Sequence, residues 1–439
     1  MKDTLDQNAY NTSITTVPAF TLLMERSDGR VFSYSHDDTK ATPVTTSSPT
    51  TPYESASTSK IVSTVIILRL VDLGTLALTS KACDVIKDVA VTPGPSPWTW
   101  PETTVTLQYL LSFLSGFCDD SNTGINLPNT DFAYCVKRIY MNGFTASAGS
   151  QFYYSGTHLQ IAGLMVVTAA GKPWSSIFAD FQLQTGLFLN STYNLSSTTN
   201  PRLAGGMTWT GEDYMAFLKA LYWNKTPRGD QLLSKDMGND LWHKLFANQR
   251  GSATVGNSPL LSEMDEDWSY GFGNWLECQS SSYNCGQGHR NSSPGMYGAY
   301  PFIDFDYGYF GILARQGPTD ADTFPEGINL FRTIQSYATQ WSQINCISPS
   351  TDLNNIKVYP NPFKIGNGAI LKFINLTSNA VIQIYTISGE KVNEVIANSS
   401  GVANWNGTNV NGNVVSRGIY LGYISDETRK TIIKIAIIK

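Results

Sequence analysis

The stretch Ser55-Ala56-Ser57-Thr58-Ser59-Lys60, running straight into the apolar segment Ile61 to Leu73, decides how the rest of the chain is read. Ile61, Val62, Val65, Ile66, Leu68, Leu70 and Val71 make an apolar rod, and Gly74 stands where a helix would stop. Residues three apart are neighbours on a helix, so Ser57 and Lys60 share a face. A helix N-terminus carries unpaired N–H groups and the positive end of the dipole, which favour a developing alkoxide or oxyanion. A lysine held against apolar surface loses its proton more readily than a free one and can take the serine's. The pattern alone settles nothing, because Ser388-Gly389-Glu390-Lys391 repeats it in a turn-like stretch. A capping serine and a surface lysine explain either match by itself; only the context of the first lifts it.

Upstream, Phe20 to Arg26, a Ser27-Asp28-Gly29-Arg30 turn and Val31 to Tyr34 read as a strand hairpin, within about Ala19 to Ser35. A Thr/Ser/Pro-rich loop, Thr42 to Thr51, leads to Ser57. Downstream, four prolines between Pro93 and Pro101 exclude regular structure there. Thr106 to Ser112 is a capped apolar helix ending at Gly116, and Leu159 to Ala170 and Trp174 to Phe188 are helical in pattern. Gly211 to Trp223 is a further helix, opened by Thr210 with Asp213 three residues on. Tyr297 to Ile303 and Tyr307 to Arg315 read as paired strands around Asp304-Phe305-Asp306. Strands at both ends with helices between them predict one α/β (α+β) domain whose sheet is closed by its last elements.

At 439 residues the chain has room for more than one domain. A net charge of −5 and the lack of a basic stripe argue against nucleic acid as a partner. Charged residues are only 15% while Tyr, Trp, Phe, Ser, Thr and Asn abound, a profile common among exported proteins. Ile61 to Leu73 is shorter than the roughly 18–20 residues of a membrane span and is interrupted by Arg69. The start, Met1-Lys2-Asp3-Thr4-Leu5-Asp6, lacks an apolar signal core, so a signal has been removed or export takes another route. Cys278 and Cys285 stand seven apart with no histidine at zinc-like spacing, so neither metal nor cofactor is expected. In an oxidising compartment Cys118–Cys135 and Cys278–Cys285 are the expected local disulfides, leaving Cys83 with Cys346.

Composition changes near Cys346. Ile347 to Thr351 reads as linker, and beyond it helix signals vanish. Lys357 to Tyr359, Ala369 to Phe373, Ala380 to Tyr385 and Ile419 to Ile424 are short strands between Asn/Gly turns. The expected division is a catalytic domain at 1–346, a linker at 347–355, and an all-β, immunoglobulin-like sandwich at 356–439. That module carries no clustered His, Asp or Glu, which fits an accessory or targeting role.

Five pieces in order now resemble the serine β-lactamase and penicillin-binding-protein superfamily, on its class C and esterase-like side. Ser57-Thr58-Ser59-Lys60 is similar to the nucleophile motif, and Thr106 to Phe117 to the "TLRxLLSHTSGL" segment. Tyr153-Tyr154-Ser155-Gly156, followed by His158 to Gly163, resembles the Tyr-x-Asn motif and its helix. Leu203 to Met207 before Asp213-Tyr214 resembles "AGGL…DxxxF", and Tyr270-Gly271-Phe272-Gly273 the "YGxG" strand. The resemblance covers roughly residues 15–345. It implies an antiparallel sheet flanked by helices plus a helical subdomain. Residues 356–439 resemble a type IX secretion sorting domain through Val358-Tyr359-Pro360-Asn361-Pro362-Phe363, Trp405-Asn406-Gly407, Gly418-Ile419-Tyr420 and the Lys430, Lys434, Lys439 ending. That implies a secreted or cell-surface bacterial protein with the secretion machinery as partner.

Carried over by residue, the resemblance makes Ser57 the acylated nucleophile, Lys60 its base partner and Tyr154 a sharer of the proton traffic. Gly156 stands where many relatives have asparagine, which weakens the case for β-lactam hydrolysis. The third motif, Lys-Thr-Gly or His-x-Gly on the sheet's edge strand, is met by counting back from Asp304 to Ser293-Pro294-Gly295. That makes Gly295 the close-approach glycine and gives the oxyanion hole the N–H groups of Ser57 and Met296. His289 is a second candidate, at the rim. Losing the motif's cation tilts the reading toward neutral esters or amides, small or polymeric. Tyr154, Trp209, Trp275 and Tyr297 are either pocket walls or core. The expected protein is a monomeric secreted serine hydrolase; a D,D-peptidase or β-lactamase and a non-catalytic cell-wall-fragment binder are the alternatives.

Overall fold

Phe20–Arg26 and Val31–His36 form the predicted hairpin, with Gly29 at φ +86° in its turn. The structure, a computed structural model, describes residues 1–91, 104–236, 239–277, 290–320, 322–343, 350, 352–365, 370–398, 401–426 and 428–438. It divides into two compact units, Met1–Ser342 and Gln343–Lys439.

In the first unit the hairpin joins a seven-stranded antiparallel sheet. From one edge the order is Val31–His36, Phe20–Arg26, Tyr309–Ala314, Tyr300–Asp304, Arg290–Ser292, Trp275–Leu276 and Ser269–Tyr270. The chain's first strand is thus closed against one of its last, Leu23 facing Ile312. Phe20–Arg26 is buried along its whole length because both faces are covered. Leu23 and Phe310 lie on the face under Gly211–Trp223, where Glu25 pairs with Lys219 and Phe310 meets Tyr222. Side chains alternate along a strand, so Tyr300 and Phe302 point the other way, onto Phe331 of the helix Phe324–Arg332. Tyr297 is not in a strand as expected: Gly295 and Gly298 close a tight turn there, with Gly298 at φ +89°.

A helical lobe carries the rest. Thr157–Ala170 packs against Ser59–Asp72, Ala82–Ile86, Leu107–Leu111, Phe132–Asn142 and Trp174–Thr185. Its apolar residues run around the whole circumference, as a central helix requires. Thr106, Asp131 and Thr210 each accept the N–H three residues on and so fix where their helices begin. Among the described residues no single helix is long and apolar enough to cross a membrane.

The disulfide expectation is corrected here. Cys118 and Cys135 are both buried and unbonded, and Cys83 is free as well. Cys135 is packed in the apolar core, while the thiol of Cys118 bonds Thr145. Burial pushes both thiols up, Cys135 to about 12, so they behave as small apolar groups. Cys278, Cys285 and Cys346 lie outside the described residues.

The second unit is built of strands alone among its described residues. A three-stranded and a five-stranded sheet share one core, Leu371, Phe373 and Trp405 from the first meeting Ile382, Ile384, Ile435 and Ile437 from the second. This is the sandwich the alternation predicts. Leu353, from the expected linker, is buried in the same core.

Candidate active site

Ser57 does not sit inside an α-helix. It occupies the middle of a 3₁₀ turn, Ala56–Thr58, that runs directly into the helix Ser59–Asp72. Ala56 is held at φ +40°, a conformation disfavoured for any residue with a Cβ by roughly 1–2 kcal/mol. The surroundings hold that turn in place. Thr58 donates to the carbonyl of Ser55 through both N (3.0 Å) and Oγ1 (2.8 Å). Trp209 Nε1 donates to Thr58 Oγ1 at 2.8 Å, and Tyr214 donates its hydroxyl to the Thr58 carbonyl at 2.7 Å. Ser55 Oγ accepts from the Met207 amide at 3.0 Å. Trp209 is therefore a buried strut under the nucleophile turn, and the pocket-wall alternative falls for it.

One turn on, Lys60 is 5% exposed and its Nζ lies 2.7 Å from Ser57 Oγ. It also donates to the Ala204 carbonyl at 3.2 Å. Burial, with the charge of Arg202 adding to it, lowers its pKa to about 7. Near neutral pH the amine can therefore give up its proton and present a lone pair to the serine hydroxyl. Tyr154 follows the short strand Gln151–Tyr153 and is tied to Asn257, donating its N–H to that carbonyl and accepting from Asn257 Nδ2, each at 3.0 Å. Its ring stacks on buried Trp275 at 4.9 Å between centroids, and Lys60 Nζ stands 4.6 Å from its centre. Its hydroxyl bonds Ser57, while burial pushes its pKa up to about 12. The proton pattern differs from a lysinium beside a tyrosinate: the lysine is the group that empties first, and the tyrosine keeps its proton.

Behind Tyr154, His158 is fully buried, its Nε2 2.9 Å from the Tyr153 carbonyl and its Nδ1 2.7 Å from Ser115 Oγ. A carbonyl only accepts, so Nε2 carries the proton and Nδ1 accepts from the serine. Burial lowers this pKa to about 4.

Ser293-Pro294-Gly295 follows the strand Arg290–Ser292, which is interior to the sheet and not its edge. Two further strands, Trp275–Leu276 and Ser269–Tyr270, continue the sheet beyond it. Arg290 and Asp304 face each other in the ladder and form a buried ion pair at 3.1 Å, which fixes the strand's register. Ser293 Oγ donates to the Ser57 carbonyl at 3.1 Å. A Cβ on Gly295 would stand 2.8 Å from the Ser55 carbonyl oxygen and 3.0 Å from Thr58 Cγ2, so only glycine lets the two segments touch. Met296, 39% exposed, comes next, its carbonyl taken by the Thr323 amide at 2.8 Å. Gly156 precedes the helix Thr157–Ala170; a Cβ there would lie 3.3 Å from Ile125 Cδ1 and 3.4 Å from Ala204 Cβ. Ser57, Lys60 and Tyr154 are thus brought together, with Ser293 and Gly295 against the nucleophile turn; His289 lies outside the described residues. Arg202 and Asn257 were missed, although Arg202 directly precedes the Leu203 to Met207 segment, and His158 was read only as the start of the helix after the Tyr154 motif. A cavity of about 540 Å³ among Arg69, Leu73, Ala170 and Phe181 lies at the far end of the nucleophile helix and holds none of these groups.

A serine beside a buried, readily deprotonated lysine, next to a glycine-containing segment that follows a sheet strand, is the arrangement of a serine acyl-transfer enzyme. The beta-lactamase family model matches residues 22–327, and the chain belongs to that family of serine hydrolases. Residues 357–439 match the model of a secretion system C-terminal sorting domain. No match was found among curated protein sequences. Among solved structures, a candidate beta-lactamase from Bacteroides dorei DSM 17855 is 22% identical, with a TM-score of 0.60 over 76% of this chain and 97% of that one. EstCE1, a hydrolase with promiscuous acyltransferase activity, is 14% identical, with a TM-score of 0.56 over 76% and 98%. A penicillin binding protein from Bacillus halodurans is 17% identical, with a TM-score of 0.52 over 72% and 95%. At these identities the likeness is one of fold.

Proposed function

We propose that this protein is an exported hydrolase that cleaves carboxylic esters through an acyl-Ser57 intermediate. The observation that carries the reading is the 2.7 Å contact between Ser57 Oγ and a buried, readily deprotonated Lys60. Lys60 takes the hydroxyl proton as Oγ bonds to the acyl carbon and the carbonyl electron pair moves onto oxygen. The N–H groups of Ser57 and Met296 receive that oxyanion. As the pair returns, the bond to the leaving alcohol breaks, and the alcohol takes the proton from Lys60 through the Tyr154 hydroxyl. Water then gives a proton to the same base and attacks the acyl carbon. Oγ leaves with that proton, and the carboxylic acid is released. Tyr154 relays protons and is not itself the resting base, since its pKa is about 12.

Gly156 offers no amide and Ser293 no cation, which supports esters over β-lactams or peptidoglycan stems. The family match supports the D,D-peptidase or β-lactamase alternative. The sorting-domain match supports delivery to a type IX secretion machinery. The test is turnover of short p-nitrophenyl esters and of nitrocefin by the wild type and Ser57→Ala. Ester hydrolysis lost in Ser57→Ala with nitrocefin untouched supports the proposal. Nitrocefin turnover favours the alternative, and ester activity surviving in Ser57→Ala sinks both.

A further inference from the structure

One wall of the site carries a cation with no acid beside it. Arg202 donates from Nη1 to Asn126 Oδ1 and from Nη2 to the Gly205 carbonyl, each at 3.2 Å. Both acceptors are neutral, and among the described residues no carboxylate lies within ion-pair distance of this guanidinium. Its Nε is buried with no hydrogen-bond partner, although the side chain as a whole is partly exposed. A buried donor left unmade is costly unless something else fills it.

The position of this cation relative to the nucleophile follows from two adjacent peptides. Lys60 Nζ donates to the Ala204 carbonyl and Arg202 to that of Gly205, so the two cations grip consecutive carbonyls of one loop. The same wall is bared by Gly156, since a Cβ there would touch Ile125 and Ala204. Their chain neighbours Asn126 and Gly205 are the two groups that hold Arg202. Where relatives place a neutral amide, this chain has no side chain, and its nearest charged group along these two segments is the guanidinium of Arg202.

A carboxylate adjoins the segment bonded to Met296. Burial raises the pKa of Tyr154 and of Glu263, and the charge of Asp322 adds to both. Its neighbour Thr323 is bonded to the Met296 carbonyl, on the oxyanion side. A carboxylate on the Met296 side repels an anion and a guanidinium beside the Lys60 loop attracts one, so an anionic substrate group is favoured on the Arg202 side.

We propose that Arg202 holds an anionic group on the acyl part of the substrate, so that the substrates are esters whose acyl chain ends in a carboxylate and whose leaving alcohol is neutral or cationic. This rests on the acyl-serine reading above. A guanidinium fork matches a carboxylate in geometry as well as charge, and Nη1 and Nη2 each keep a second N–H beyond the one given to Asn126 or to Gly205.

The experiment uses two boronic acids of equal length, 3-carboxypropylboronic acid and its methyl ester, with the full-length protein. Each can bond its boron to Ser57 Oγ, and ¹¹B NMR separates the tetrahedral adduct from the free trigonal acid. The wild type is expected to bind the carboxylate compound roughly tenfold more tightly or better, the worth of one charge-assisted hydrogen-bonded pair. Arg202→Met collapses the ratio to about one, and Arg202→Lys keeps part of it. Both compounds meet the same folded protein, so a ratio is immune to a general loss of stability. Equal binding by the wild type, or a preference surviving in Arg202→Met, overturns this inference and leaves the acyl-serine reading standing. Absence of any tetrahedral adduct in the wild type takes down both.

Discussion

Two stretches of this chain spell Ser-x-x-Lys, and the structure makes entirely different objects of them. At Ser57 the lysine is buried, its Nζ rests on the serine hydroxyl, and its pKa falls to about 7. At Ser388 the serine hydroxyl bonds Thr386 Oγ1, and the lysine reaches out to Glu394, which raises its pKa. Gly389 turns the chain between them at φ +89°, so Ser388 and Lys391 are not on one helical face. Two letters and their spacing are shared; everything that makes a nucleophile comes from elsewhere. The Ser57 turn is held by Trp209, Tyr214 and Met207 and touched by Gly295, the farthest of them more than two hundred residues along the chain. Among the described residues the Ser388 hydroxyl is bonded only to its near neighbour Thr386.

The sharpest way to break the comparison is to remove each serine. Ser57→Ala is expected to lower ester turnover by about 10⁴-fold or more, and Ser388→Ala to leave it unchanged, both read from kcat/KM. Next come the lysines. Lys60→Met is expected to cost about 10³-fold in kcat, the range of a lost general base, while Lys391→Met costs nothing measurable.

The same Lys60 substitution is expected to stabilise the fold. Between about pH 7 and the ordinary lysine pKa of 10.5, the unfolded chain binds a proton that the folded one does not, so stability rises with pH across that window. At pH 7 and below the wild type bears the cost of a buried charge. Lys60→Met should then be more stable by on the order of 4 kcal/mol, converging with wild type above pH 10.5, as chemical denaturation at several pH values would show.

Smaller still is the pH effect on rate itself. Wild-type kcat/KM should fall tenfold per pH unit below about 7 and stay level above it until Tyr154 titrates near 12. An acid limb near 4 would mean that a carboxylate, not Lys60, is the base. Last are the two glycines. Gly295→Ala forces a Cβ to within 2.8 Å of the Ser55 carbonyl and should lower kcat by roughly 10- to 100-fold. A Cβ on Gly389 would meet nothing within 4 Å, so Gly389→Ala should cost only the roughly 1 kcal/mol of a left-handed alanine and no activity.

Local patterns were legible in proportion to how local their causes are. The hairpin, the helix Gly211–Trp223 with its Thr210 cap, and the C-terminal alternation were read correctly because periodicity and caps act within a few residues. Asp304 served as a ruler to Ser293-Pro294-Gly295, and it is one half of the ion pair that sets that strand's register. What stayed hidden depends on direction. Cysteine spacing cannot say which way a thiol points, and Cys135 points into the core. Trp209 and Arg202 gain their roles from contacts 151 and 76 residues away, which no window along the chain contains. The proton pattern was also out of reach, since it follows from how completely Lys60 is desolvated.

His158 separates two responses to acid that are usually joined. It is locked between Ser115 and the Tyr153 carbonyl and stays neutral down to about pH 4, whereas Lys60 fills near 7. Below its ordinary pKa of 6.5 the unfolded chain takes up a proton at this position and the folded one does not, so the histidine costs stability gradually as pH falls toward 4. Its two hydrogen bonds stay intact across that range. An enzyme brought from neutral medium to pH 5 should therefore fall silent with its backbone in place, and recover its rate on return without refolding.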